Sequence, residues 1–386
     1  MNKKLIQSIL SVVVVFAAHL QNLNAQTTSY GSIVSDGLVR DYKLYVPAIY
    51  NGSLPVPLVF NFHGYGSNFD EQELYGDFRA IADTANFIVV HPNGTPDSFG
   101  TLAWNTFGNS TTNDVGFIAN LIDSLQQSYN IDTTAIFSTG MSNGGFMSYE
   151  LACQLSGRIA AVASVTGSIT TTYLAACNAQ RPVPVMQIHG TIDGTVPYIG
   201  NFLFEPIESV INYWVQFNNC DSNAIFNAIP DVVSTDNCTA EHYLYPNGDD
   251  SVEVEFYKII NGGHSWPGAP INLNTTNMDF KANQVIWRFF RKYRLNENIV
   301  ASQQHVMAKE HDFDVFPNPS NGVITINFPY SAERKILLTN ALGQLINTYY
   351  CNTNKFEITL EQQGVYFITS TDNTGNTHTK KVVTSK

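Results

Sequence analysis

Charge is scarce in this chain of 386 residues: Asp, Glu, Lys and Arg together make up 13%. Basic residues are the scarcer kind, 20 against 32 acidic, for a formal net charge of −12. That balance argues against nucleic-acid binding and against a polybasic membrane contact. Asn, Thr and Ser take the place of charge on the surface. No cluster of His, Cys or carboxylates has the spacing of a metal site, so neither a catalytic metal nor a cofactor is expected. Long apolar runs are missing beyond the first few tens of residues, and with them any expected membrane span.

What is present begins with a leader pattern. Lys3-Lys4 precedes an apolar run from Leu5 to Ala18, and a short polar stretch ends in Leu23-Asn24-Ala25-Gln26. The run is too short for an ordinary spanning helix. This is the layout of a secretory signal peptide over residues 1–25, cut after Ala25, so the mature protein is expected to be soluble and exported. All five cysteines lie in the exported part, where disulfides persist. Spacing does not fix connectivity. The economical pairing is Cys153 with Cys177 and Cys220 with Cys238, which leaves Cys351 over.

Residues 26–294 alternate strand-like and helix-like segments. An entry hairpin, Tyr30 to Val34 and Leu38 to Val46, turns at Asp36-Gly37. Strands are expected at Pro57–Phe62, Phe87–His91, Thr134–Ser138, Ala160–Val165, Val183–His189 and Val252–Ile260. Asp114 is read as the cap of a helix reaching Tyr129, and Lys281 to Tyr293 as a closing amphipathic helix. This alternation implies a mostly parallel sheet with helices on both faces. Residues 295–311 read as a polar linker. Residues 312–386 change texture to short strands between turns, such as Val323–Phe328, Lys335–Thr339 and Val365–Thr369, and are expected to form a small all-β sandwich.

The chemistry-bearing motif is Gly140-Met141-Ser142-Asn143-Gly144, between a strand-like run and a helix-like one. G-x-S-x-G in that context is a nucleophile elbow, the sharp turn that lifts a serine hydroxyl above a sheet. A serine needs a base, and the base a carboxylate to orient it. In an α/β-hydrolase the chain order is serine, acid, histidine. Asp193 follows one strand and His264, in a glycine-rich loop, follows another; Ser142, Asp193 and His264 have the required order. Asp231, Asp236, Asp249 and Asp250 compete as the acid but read as solvated loop charges. His189 precedes Asp193, which makes it a structural residue rather than the base, and His63 is read as shaping its loop. The oxyanion hole is assigned to the backbone N–H groups of Tyr65, in His63-Gly64-Tyr65-Gly66, and of Asn143, after the serine. A plain turn serine and a structurally bonded loop histidine are the bland readings of Ser142 and His264.

Two resemblances follow from these motifs. Residues from about Gly37 to Arg294 resemble the extracellular esterase family that includes poly(3-hydroxybutyrate) depolymerase-like and feruloyl or acetylxylan esterase-like enzymes. The shared pieces are His63-Gly64-Tyr65-Gly66, Asp114-Val115-Gly116-Phe117, Gly140 to Gly145, His189-Gly190-Thr191-Ile192-Asp193 and Gly262-Gly263-His264-Ser265-Trp266-Pro267-Gly268. The resemblance implies an α/β-hydrolase fold, a triad at Ser142, Asp193 and His264, and a secreted ester as substrate. The tail resembles the type A C-terminal sorting domain of type IX secretion in Bacteroidota. The matching pieces are Val315-Phe316-Pro317-Asn318-Pro319-Ser320-Asn321-Gly322, Asn340-Ala341-Leu342-Gly343-Gln344, Gly364-Val365-Tyr366-Phe367 and Lys380-Lys381-Val382-Val383. That implies type IX machinery as a partner and a secreted or cell-surface enzyme. A carbohydrate-binding module is the other reading of the tail. Trp104 and Trp266 are candidates for a substrate platform, or for half-buried core. A non-catalytic surface adhesin on an esterase fold is the alternative function.

Overall fold

The structure is a computed structural model and describes residues 26–271, 275–295, 313–328, 331–341, 343–360, 362–372 and 377–384. The expected signal peptide and nearly all of the expected linker lie outside the described residues. The described residues fall into two units, 26–295 and 313–384.

The larger unit contains the strands Thr27–Ser35 (β1), Leu38–Val46 (β2), Val56–Phe62 (β3), Ile88–Pro92 (β4), the short pair Thr95–Pro96 (β5) and Leu102–Ala103 (β6), Ile131–Met141 (β7), Ala161–Val165 (β8), Val185–Gly190 (β9), Ile225–Ala228 (β10), Thr239–Tyr245 (β11) and Val254–Ile260 (β12). Its helices are Phe69–Tyr75 (α1), Arg79–Ala85 (α2), Asp114–Ser128 (α3), Asn143–Gln154 (α4), Thr171–Ala175 (α5), Ile207–Phe217 (α6) and Ala282–Phe290 (α7). Ten strands form one sheet in the order β1-β2-β4-β3-β7-β8-β9-β12-β11-β10. From β4 through β12 every neighbouring pair is parallel, and the hairpin strands at both margins are antiparallel.

The middle strands are apolar throughout because both faces are covered. Period-2 alternation divides their side chains. Leu58, Phe60, Phe62, Val90 and Ile136 face α3, α4 and α6, which contribute Phe117, Leu121, Met147 and Trp214. Val59, Val89, Phe137, Ala163 and Ile188 face α2 and α7, which contribute Ala82, Ile286, Phe289 and Phe290. Asp36 and Gly37, both at positive φ (49° and 78°), close the entry hairpin as a twist-matched turn.

Two expectations are corrected here. Asn113, not Asp114, caps α3, its side chain accepting the Gly116 N–H at 2.9 Å. Asp114 is instead the first helical residue and is buried against Arg40. The strand β10 lies between Cys220 and Cys238 in the chain. Cys220 and Cys238 are not bridged. Cys220 packs on the α6 side of the sheet and Cys238 on the α7 side, so the sheet stands between the thiols. Cys153 and Cys177 do form a disulfide.

The smaller unit is an all-β sandwich. Asp314–Phe316 (β13), Val323–Asn327 (β14) and Lys355–Thr359 (β17) form one sheet. Arg334–Asn340 (β15), Leu345–Cys351 (β16), Gly364–Asp372 (β18) and Thr377–Thr384 (β19) form the other, in the order β16-β15-β18-β19. Ile324, Ile326, Ile336, Leu338, Ile358 and Ile368 fill its core.

One buried charge ties β12 to α7. Glu255 accepts hydrogen bonds from His242 Nε2 (3.0 Å), Arg288 (2.7 Å) and Lys292 (2.9 Å). Burial alone would raise its pKa, but the His242 hydrogen bond and the Lys292 and Arg288 charges outweigh that and pull it from 4.5 to about 2. The fold favours the ionised form, so this stabilisation is complete above about pH 4.5 and is lost as pH falls through about 2. Its size is on the order of 2–4 kcal/mol. We expect Glu255→Gln to lower the urea midpoint at neutral pH and to flatten the stability curve over that acid window. A variant with an unchanged acid limb would show that the network does not carry it. Thiol titration of the unfolded, unreduced chain should find three free thiols, and peptide mapping should recover Cys153 joined to Cys177. Recovery of Cys220 joined to Cys238 would contradict the fold.

Candidate active site

Ser142 is the hinge between β7 and α4. Its backbone sits at φ 55°, ψ −120°, a conformation that a residue with a side chain adopts only under constraint. The constraint is visible. Ser142 N–H donates to Val165 O at the end of β8 (2.8 Å), and its own carbonyl accepts from Gly145 and Phe146 as α4 begins. A Cβ on Gly144 would lie 2.1 Å from Phe62 O, and one on Gly140 would lie 2.6 Å from Gly144 C and 2.7 Å from Phe62 O. Backbone meets backbone there, and only glycine fits. The end of β3 thus touches the elbow directly. A Cβ on Gly64 would stand 3.4 Å from the Cβ and 4.0 Å from the Oγ of Ser142, so the His63-Gly64-Tyr65 turn lies beside the serine.

Asp193 and His264 follow the carboxyl ends of β9 and β12, parallel neighbours in the sheet. Their loops are joined by hydrogen bonds from Ile192 N–H to Gly262 O (3.1 Å) and from Asn261 N–H to Thr191 Oγ1 (2.9 Å). Asp193 is buried and takes His264 Nδ1 on Oδ2 at 2.8 Å. Its Oδ1 accepts the N–H groups of Thr195 and Val196, both at 2.9 Å. Burial opposes the charge on Asp193. The His264 hydrogen bond and the Val196 N–H outweigh it and hold the carboxyl below its ordinary pKa. An ionised Asp193 accepts the Nδ1 proton and leaves Nε2 with its lone pair.

The competing groups lie elsewhere. Asp236 accepts from Cys238 and Met278 N–H groups, and Asp249 from the Asn219 side chain. Asp231 and Asp250 are exposed. His189 is buried behind the acid loop, donating from Nε2 to Val196 O (2.9 Å) and meeting Gln187 Nε2 through Nδ1 (2.9 Å). Burial pushes its pKa down to about 4, so it is neutral. His63 accepts the Gly94 N–H on Nε2 (2.9 Å) and therefore donates from Nδ1 to Gly64 O (2.7 Å). Burial lowers its pKa to about 4 as well. It shapes the turn that carries Tyr65.

The two oxyanion candidates come from the residue after Ser142 and from the turn beside it. Asn143 occupies the first position of α4, where an N–H has no intrahelical acceptor. Tyr65 lies in the turn, with its phenol donating to Asp97 Oδ2 at 2.8 Å. The tryptophans require a correction. Trp104 is fully buried and Trp266 is 2% exposed, so neither offers a face to a substrate. Trp104 packs edge-on to Phe62 (5.0 Å), and Trp266 edge-on to Phe78 (6.4 Å).

Sequence reading missed a brace behind this site. Asp114 accepts Arg40 on Oδ1 and the Asn105 N–H on Oδ2, each at 2.7 Å. The Arg40 guanidinium lies 4.0 Å from the centre of the Phe117 ring. The stretch Asp114-Val115-Gly116-Phe117 was the visible signal. Among the described residues no group of three or more His, Cys, Asp or Glu gathers as a metal site, and no helix is long and apolar enough to cross a membrane.

Residues 47–224 match the phospholipase/carboxylesterase family, and residues 314–385 match the secretion system C-terminal sorting domain. The larger unit has the α/β-hydrolase fold. Among curated relatives, a bifunctional acetylxylan esterase/xylanase of Neocallimastix patriciarum is 29% identical over 267 residues, 69% of this chain and 35% of that protein. Feruloyl esterase C of Emericella nidulans is 27% identical over 65% of this chain and 83% of its own length. The chain thus spans about a third of the first relative. An acetyl xylan esterase structure from Aspergillus awamori aligns at 16% identity over 68% of this chain and 99% of its own, with a TM-score of 0.49. The match to the sorting domain marks the chain as an exported protein.

The strained serine generates a prediction. Holding a side chain at φ 55° costs on the order of 1–3 kcal/mol, which glycine escapes in part. We expect Ser142→Gly to be more stable than Ser142→Ala by about 1 kcal/mol in urea unfolding. Equal stability of the two variants would mean that the elbow is not strained.

Proposed function

We propose that this chain is an exported serine carboxylic-ester hydrolase. The observation that carries the reading is the 2.8 Å bond from His264 to a buried, ionised Asp193, with Ser142 on a strained elbow at the same edge of the sheet. In this reading Ser142 Oγ attacks the ester carbonyl as its proton passes to His264 Nε2. Asp193 holds the imidazole through Nδ1 and stabilises the imidazolium. The carbonyl oxygen becomes an oxyanion and takes hydrogen bonds from the N–H groups of Tyr65 and Asn143. His264 then returns the proton to the departing alcohol, and the acyl group stays on Ser142. Water repeats the sequence and releases the acid.

The relatives support polysaccharide-linked feruloyl or acetyl esters as the substrate class ahead of polyhydroxyalkanoate polyesters. Their names are acetylxylan esterase and feruloyl esterase. The sorting tail supports type IX machinery as the export partner, with the enzyme released or held at the cell surface.

Ser142→Ala should lower kcat/KM on a soluble ester by about 10⁴ or more, and Asp193→Asn by about 10³–10⁴, with the fold intact by circular dichroism. The panel for wild type is methyl ferulate, acetylated xylan and poly(3-hydroxybutyrate). Ferulate or acetate release should exceed hydroxybutyrate release. An inactive wild type would leave the non-catalytic adhesin standing, and an active Ser142→Ala would place the nucleophile elsewhere.

A further inference from the structure

We infer that Trp104 is a positioning residue that sets the spacing between the two oxyanion donors. The inference rests on the ester-hydrolase reading and on Tyr65 and Asn143 as those donors. Every polar group of Trp104 is engaged with the strands of chain that carry them. Its backbone N–H donates to Asn143 Oδ1 (2.7 Å), and its carbonyl accepts from Asn143 Nδ2 (3.2 Å). Its indole Nε1–H donates to His63 O (3.0 Å), two residues before Tyr65. One buried residue therefore grips both sides of the oxyanion hole. It holds Asn143 through that residue's side chain and the Tyr65 turn through its main chain.

The grip is firm from every side. Asn143 is 1% exposed, and its Nδ2 also donates to Thr106 Oγ1 (2.7 Å). The indole packs against the rings of Phe62 and His63, with centroids 5.0 and 5.1 Å away. Asn105, between the two clamping residues, is fixed by its N–H to Asp114, which is itself paired with Arg40 in the core. That explains the buried ion pair as an anchor for residues 104–106. Oxyanion donors act through placement, and a donor displaced by more than about 0.5 Å loses much of its effect. A helix-start asparagine would ordinarily face water. Here its amide is spent on holding the neighbouring loop.

The same core supplies a control. Trp214 is also fully buried, and its Nε1 has no hydrogen-bond partner among the described residues. Trp104→Phe and Trp214→Phe remove the same atoms from one hydrophobic face, but only the first cuts a tie to the oxyanion hole. The assay uses the full chain on a soluble ester, with a trifluoromethyl ketone as a probe that forms the oxyanion adduct. Trp104→Phe should lower kcat by about 10–100-fold with KM within about twofold, and should weaken the ketone by a similar factor. Thr106→Val, which removes one bond to Asn143, should act in the same direction by less and covers the case in which Trp104→Phe does not fold. Trp214→Phe should change stability without moving kcat or the ketone affinity. Undiminished kcat in Trp104→Phe, or in Thr106→Val if the former does not fold, would overturn the inference. An equal fall in Trp214→Phe would do the same. Failure of the underlying reading shows separately, as a wild type that cleaves no ester or a Ser142→Ala that still does.

Discussion

The close approach of three backbones at Phe62, Gly140 and Gly144 is the contact on which the rest of the site depends. A helix and two strand ends cannot come that near with side chains between them. Their proximity forces Ser142 into a positive-φ turn, and that turn points the serine out of the sheet edge. The same contact brings the His63-Gly64-Tyr65 turn beside the serine, because that turn leaves β3 at Phe62. The proposed nucleophile and the proposed oxyanion donors are thus parts of one crossing point.

The proposed acid and base are placed by a different device. Parallel pairing of β9 with β12 sets their following loops side by side, and hydrogen bonds between the loops fix Asp193 against His264. Beneath them lies a neutral polar layer. Tyr149 donates to Gln187, Gln187 meets His189, and His189 closes on Val196 O. Burial keeps His189 uncharged, so the layer satisfies its polar groups without a second cation competing for Asp193.

Much of this was legible in the sequence for a simple reason. Strands covered on both faces are continuous apolar runs, and Pro57–Phe62 and Val183–His189 read as such. The motif spacing then put Ser142, Asp193 and His264 after strands. What was missed lacks that signature. Ile225–Ala228 is an exposed edge strand of four residues, too short to read as a run, and Thr239–Tyr245 mixes Thr, Glu, His and Tyr, so it does not stand out by hydrophobicity. The cysteines at 220 and 238 are close in sequence, yet a sheet separates them, and sequence distance carries no information about faces. Trp104 read as a platform because exposed aromatics often serve so. Its burial depends on Phe62 and His63, which the fold brings to it from a distant position.

The disulfide between Cys153 and Cys177 closes the last turn of α4, whose first turn is already wedged against β3. A helix fastened at both ends cannot fray from either. Its amide protons should therefore exchange with solvent only when the whole unit opens. The elbow therefore opens a helix that is wedged at its first turn and tethered at its last.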